Sequence, residues 1–439
     1  MAFIHPQSCE CTKSELDLFG VPPTQTSIES GAWVEYLPVS ALSHLLPIEF
    51  NVLGAGQDYV DLANTMLYVK AKIIRENNAY IDDTDAVAPV NLTLHSLFNE
   101  VEFKLSDTLI SSTNNTYAYR ALFETLLSYG KDAKESQLTA ALYYKDRAGY
   151  MEDSALDAAA MNTGMITHRR LFVDSREVDM MGKIHADLFF QDKFLPADVG
   201  FRLRLLRNKD AFCLMSSQQN EVYKLLITEC KLFVRKIKLS PSVFMAHARI
   251  LQEGHAKYPI RRVVCKTFTV PAGNLNFSHE SLFTGQLPTR LVVGIVDNES
   301  FCGSYRRNPF NFKNYDLTQL ALYMDGQQQH IKPLDVDYNH GLYMPAYLSL
   351  FGGTNKLFRD EGLDIDRSEY PHGYSLYAFD LTPDLAESDH FNLSKEGNVR
   401  LDAKFSTALP NTVNVICFAE FENVIEIDRN KNVIYDYTN

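Results

Sequence analysis

Apolar and polar residues alternate along most of this chain with the two-residue period of strands that bury one face. In TMLYVKAKIIRE, Leu67, Val69, Ala71 and Ile73 share one parity. In VEFKLSDTLI, Val101, Phe103 and Leu105 alternate with Glu102, Lys104 and Ser106, and in FRLRLLR, Phe201, Leu203 and Leu205 alternate with Arg202, Arg204 and Leu206. WVEYLPV, IEFNV, EVDMMGKIHADLFF and EVYKLLITECKLFVRKIKLS read the same way, the last as one strand with a bulge. Trp33, Val34, Tyr36 and Leu37 are expected to anchor the first of these to a sheet. VNLTLHS is also read as a strand, with Asn91, Thr93 and His95 opposite Leu92, Leu94 and Ser96. One wet face per segment predicts antiparallel sheets.

Two stretches break the period. In YAYRALFETLLSYG, Tyr119, Leu122, Phe123, Leu126 and Leu127 recur at helical spacing, Gly130 offers a stop, and KESQLTAALYYKD supplies a second short helix. SPSVFMAHARILQEG reads as a connecting helix ending near Gly254. Beyond it alternation resumes in YPIRRVVCKTFTVPAG, RLVVGIVDN, LTQLALYMDG, YSLYAFDLTPD, GNVRLDAKFS and NTVNVICFAEFENVIEIDRNKNVIYDY, with turns at Asp325/Gly326 and at RNKN. The pattern divides the chain into an arm (1–30), a β-rich body with helical insertions (31–240), a connection (241–256) and a second β-rich body (257–439). Many strands punctuated by Gly, Asn, Asp and Pro predict an all-β chain of antiparallel sandwiches or barrels.

At 439 residues the chain is long enough for two or three hydrophobic cores. Its formal charge of −13 opposes coating of nucleic acid or anionic membrane, leaving room only for a local basic patch such as FRLRLLR, whose alternation the solvated face of a strand explains more cheaply. No apolar run is long enough to span a bilayer, and the N-terminus lacks a basic region followed by an apolar stretch, so a soluble product of the cytosol is expected. Seven cysteines at mostly long separations suit reduced thiols, and Cys9/Cys11 is C-x-C with no second tight pair to complete a metal site.

Chemistry is sparse. The P-loop, zinc-protease and nucleophile-elbow signatures are absent, and the glycines at 54–56 suit a turn. The acidic loop RDEGLDIDRSE (359–369) lacks the spacing of a calcium hand. DNES (297–300) likewise offers oxygens without a ligand pattern. His247, His255, His330 and His340 suit ordinary polar roles, and Pro333 disturbs the regularity that would pair Asp335 with Asp337. No catalytic, cofactor or metal residue is expected.

The densest constellation is residues 285–338, GQLPTRLVVGIVDNESFCGSYRRNPFNFKNYDLTQLALYMDGQQQHIKPLDVDY. Pro288 and Pro309 stiffen its loops, and Gly285 and Gly303 permit paths closed to bulky residues. Phe301, Tyr305, Phe310, Phe312 and Tyr315 offer apolar surface either for pinning a loop to a sheet or for a subunit contact. Arg306 and Arg307 could pair with a carboxylate, touch nucleic acid or remain solvated.

This segment resembles the central region of double jelly-roll major capsid proteins of Polinton/Maverick elements and adintoviruses. The likeness rests on G-x-L-P (Gly285, Leu287, Pro288), VVGIVDN, N-P-F (Asn308, Pro309, Phe310) and NFKNYDLTQLALYMDG. Downstream, Tyr338, Tyr343, Tyr347 and Leu350/Phe351, then GYSLYAFDLTPD and GNVRLDAKF, extend it. It is clearest over 258–435 and more diffuse over 30–240. The resemblance implies two consecutive antiparallel jelly-roll sandwiches with short helical insertions, forming a pseudo-hexagonal homotrimer. It implies a non-enzymatic major capsid protein of the virion whose trimers tile an icosahedral shell around double-stranded DNA, without sequence-specific recognition. Its partners would be copies of itself, penton and minor cement capsid proteins, with synthesis in the host cytosol and assembly there or in the nucleus. Gly285, Leu287, Pro288, Phe301, Tyr305, Asn308, Pro309, Phe310, Phe312 and Tyr315 are the expected structural or interface residues. The competing readings are a two-domain β-sandwich module binding a glycan or receptor and a hydrolase on a β scaffold.

Overall fold

The structure is a computed structural model that describes residues 5–44, 46–54, 56–155, 161–218, 222–328, 333–385 and 390–435. Eight principal strands make the first half: Ile28–Tyr36, Ile48–Val52, Asp58–Arg75, Phe98–Leu105, Thr108–Ser112, Val178–Lys183, Phe201–Arg207 and Tyr223–Leu239. Counted in chain order, strands first, eighth, third and sixth form one antiparallel sheet, and second, seventh, fourth and fifth form the other.

The second half repeats this order. Ala256–Val270, Val413–Ile427, Arg290–Asp297 and Leu376–Asp380 make one sheet; Asn276–Gln286, Glu396–Phe405, Leu317–Met324 and the short Gln327–Gln328 make the other. Val433–Tyr435 and Leu334–Asp335 each add a fifth strand to one of these sheets. Two sheets whose four-strand paths interleave in this order are a jelly roll, here occurring twice. The alternating residues explain why: Leu67, Val69, Ala71 and Ile73 are fully buried, as are Val101, Phe103 and Leu105, while their neighbours face outward. Bulges in the long Tyr223–Leu239 strand, at Ile227/Glu229 and Phe233/Arg235, increase its twist over the core. The Asp325/Gly326 turn has positive φ at both residues (51° and 76°), the geometry that a two-residue hairpin requires.

One continuous apolar core runs through both halves. Helix Tyr117–Ser128, inserted in the first half, is buried on nearly every side and wedges Phe123 against Phe312 and Phe418 of the second. Helix Pro241–Glu253 joins the halves with Pro at its first turn, and none of its residues is fully buried. Helix Met344–Gly352 supplies an aromatic stack in which Tyr343 lies 5.4 Å from Tyr338 and 6.0 Å from Tyr370, with Tyr347 beside Tyr370 and Phe351.

Several local readings change. VNLTLHS is not a strand: Leu92 takes positive φ and Thr93–Ser96 is a buried helical turn. Side chains satisfy its backbone, since Asn91 Oδ1 accepts the Leu92 and Tyr144 amides and Thr93 Oγ1 donates to Val90 O. The WVEYLPV segment joins a sheet as expected, through edge strand Ile28–Tyr36 and with Tyr36 against the core, but Trp33 and Leu37, 57% and 64% exposed, face outward. The first helix ends at Ser128, and Gly130 instead leads into helix Lys131–Glu135. Helix Thr163–Phe172, which packs on Val87–Pro89, has no counterpart in the sequence reading. All seven cysteines are free thiols.

Candidate functional site

The densest polar and aromatic arrangement is the seam between the two sandwiches. It starts where strand Arg290–Asp297 ends: Asp297 Oδ1 accepts the Glu299 amide and caps the short helix Asn298–Cys302. Gly303 follows at φ 99°, and a Cβ there would sit 3.0 Å from the Phe212 nitrogen, so glycine lets this loop lie flat on the first half. Phe301 stacks on Tyr119 with centroids 5.7 Å apart, and Phe310 meets Tyr119 and Phe212 edge-on at 5.9 and 6.1 Å. Phe312, fully buried, lies 5.3 Å from Phe123. Tyr305 donates to Tyr223 O (2.8 Å), and its own carbonyl accepts the Ser216 amide (2.7 Å).

Asn308 is the polar key of this plug. Its Oδ1 accepts the Phe310 amide, folding the turn through Pro309, and its Nδ2 donates to Asp146 Oδ2 (3.0 Å) and Met151 O (3.1 Å). The other Asp146 oxygen accepts Asn162 Nδ2 at 2.8 Å. Burial pushes the Asp146 carboxyl up to about 6, against the pull of the two amides. At the rim Glu152 receives Arg307 (2.7 Å) and Lys313 (2.8 Å); despite desolvation these cations hold its carboxyl below the usual range.

A second fastener lies in the acidic loop 359–369. Lys134 Nζ is buried and donates to Leu126 O and Leu363 O, and desolvation brings it down to about 7. Lys145 pairs with Glu369 at 2.7 Å. Beneath the first sheet of the second half, Arg120, 1% exposed, bonds Glu124 (2.9 Å) and Asp187 (2.7 Å), and Asp187 also accepts the Val263 amide across the seam. Burial opposes the Arg120 charge, but the two carboxylates overcome it and raise its pKa. An adjoining cleft of about 600 Å³ is lined by Arg120, Glu124, Asp187, Arg290 and Glu420.

The ten residues singled out from the sequence divide into two places. Phe301, Tyr305, Asn308, Pro309, Phe310 and Phe312 gather on the first half, with Tyr315 half-buried at the foot of the loop at φ 48°. Gly285, Leu287 and Pro288 instead close strand Asn276–Gln286: Gly285 pairs with Gly397 at φ 88°, and the Leu287 amide donates to Lys395 O. Arg306 is exposed, whereas Arg307 is engaged by Glu152. Of the receiving groups, Tyr119 is read only as part of a helix face, and Asp146, Glu152 and Phe212 escape sequence reasoning. Arg120 and Glu124, four apart on an otherwise apolar helix, carried a usable signal.

Among the described residues, no three His, Cys, Asp or Glu side chains are grouped to hold a metal, and no helix is long and apolar enough to cross a membrane. His247 meets Tyr59, His255 meets Glu426 and His340 meets Asp337; His330 lies outside the described residues.

No family profile matches the sequence. An uncharacterized Caenorhabditis elegans protein, F54H12.2, is 27% identical over 432 residues, 95% of this chain and 99% of that protein. A chain of the Sputnik virophage structure matches 99% of this chain and 94% of its own length at 11% identity and a TM-score of 0.65. The mavirus major capsid protein matches 100% and 96% at 12% identity and 0.55. At that identity the likeness is one of fold, and the fold is the double jelly roll of viral major capsid proteins.

Proposed function

We propose that this chain is a non-enzymatic major capsid protein of the Polinton/Maverick and adintovirus kind, acting in a virion. Three copies form a pseudo-hexagonal block, and blocks tile an icosahedral shell that encloses double-stranded DNA. One observation carries the reading: the same eight-strand order occurs in both halves, and a shared core joins them, giving a rigid two-sandwich block matched along its whole length by capsid folds. Rigidity suits tiling, because a subunit that flexed between its halves would lose interface energy to ordering.

In this reading the sandwiches extend over 31–240 and 257–439, linked by 241–256 and preceded by an arm at 1–30. Phe301, Tyr305, Asn308, Pro309, Phe310, Phe312 and Tyr315 fasten the halves within one subunit, while Gly285, Leu287 and Pro288 shape a turn in the second. Subunit seams are drawn from exposed apolar groups such as Trp33, Leu37 and Phe358. Penton and minor cement proteins complete the shell. The net charge of −13 fits a genome held by enclosure, with no cofactor and no sequence reading. Light scattering on the purified protein across a concentration series tests this: a mass of three subunits is expected, and a monomer at every concentration would overturn it.

A further inference from the structure

Two histidines lie inside the seam, and no step of assembly calls on them. His95 and His185 are 2% and 6% exposed, with ring centroids 4.5 Å apart and edge to face. His185 Nδ1 bonds Glu124 Oε2 at 2.5 Å, and Glu124 is held in turn by Arg120, whose other partner Asp187 accepts the Val263 amide of the second half. A hydrogen-bonded chain therefore runs from the imidazole pair across the boundary between the sandwiches.

We propose that the His95–His185 pair is an acid-sensitive latch: a proton taken up by His95 breaks its bond with Tyr117, forces the two packed rings apart and loosens the seam. Proton positions carry the argument. Tyr117 Oη accepts the His185 amide and lies 3.0 Å from His95 Nδ1, so its hydroxyl proton is assigned to that nitrogen and His95 is neutral. A proton on His95 would displace the Tyr117 donor and set a cation against the His185 ring, in a buried site where Arg120 and Lys183 already lie beside Glu124. Asp187, Tyr129 and the Cys265 thiol also lie within reach of Glu124, and of these three only Asp187 is a carboxylate.

Desolvation and the neighbouring His185 hold His95 well below the ordinary histidine range. A depressed histidine contributes stability that is present above its unfolded value and lost as the pH falls, so the latch is closed at neutral pH and opens in acid. The latch lies within a single chain and works whether or not copies assemble.

Hydrogen exchange of the purified full chain between pH 7.5 and 5, corrected for the intrinsic rate, tests it. Amides in 116–128, 184–190 and 257–266 should open about tenfold more per pH unit for each linked proton, while those in 67–73 stay protected. The double variant His95→Gln/His185→Gln should lose that excess. The same pH response in the variant, or a parallel rise at 67–73, would overturn the latch. If the variant does not fold, the wild-type map decides alone: exchange rising first at the three seam segments supports the latch, and a uniform rise contradicts it.

Discussion

The two sandwiches share a strand order yet differ in what their loops do. The first half carries a long insertion between Thr108–Ser112 and Val178–Lys183, and its helix Tyr117–Ser128 supplies the receiving surface. The second half places a compact plug, residues 298–316, between Arg290–Asp297 and Leu317–Met324. The repeated part is scaffold, and the asymmetric part is what fuses two scaffolds into one block. A second contrast runs between aromatic groups: in the plug Phe310 and Phe312 are buried and Phe301, Tyr305 and Tyr315 partly buried against the core, whereas Trp33 on the outer strand of the first half is largely exposed. The first set should govern folding of the subunit and the second only its associations.

Phe312→Ala should break this contrast most severely. Truncating a fully buried ring costs about 3–5 kcal/mol, read by urea denaturation, and a coupled seam predicts that both halves still unfold in one transition. Two separated transitions in the wild type would show that the plug does not fuse them.

Asn308→Ala should cost about 1–3 kcal/mol by stripping a donor from buried Asp146. Asp146 also sharpens the pH behaviour of the seam. Its carboxyl is raised to about 6 from an ordinary 3.8, so the folded chain binds its proton more tightly than the unfolded chain does. Its contribution is fully present below 3.8 and lost as the pH rises through 6. Asp146→Asn should remove this slope, seen as convergence or divergence of the two stability curves across that window; parallel curves would contradict it.

Glu152→Gln touches a rim pair partly open to water, and about 1 kcal/mol or less is expected, shrinking with added salt. Trp33→Ala should have the smallest effect on the dilute subunit, about 0.5 kcal/mol, since the ring gives up mainly an exposed contact with Arg235 at 4.4 Å. The same change should weaken association markedly if this face is a seam.

Strand periodicity made the sheets legible wherever one face was wet, as at Leu67–Ile73 and Phe201–Leu205. It misled where every residue was buried: Asn91–Ser96 alternates like a strand but is held as a helical turn by its own Asn and Thr side chains. The plug was visible as an aromatic cluster, yet its partners were not. Tyr119 and Asp146 lie far from it in sequence, and alternation carries no information about which distant surface a loop will meet. Gly285 to Pro288 were grouped with the plug by proximity in the chain, although the intervening strand carries them away from it.

Cryo-electron microscopy of the purified full-length protein at high concentration tests the central claim most directly. Trimers of pseudo-hexagonal outline, each subunit holding two jelly rolls fused through the 298–316 plug, are the result predicted, alone or tiled into shells. Particles that remain single subunits, or copies joined through the plug with the two sandwiches apart, would contradict it.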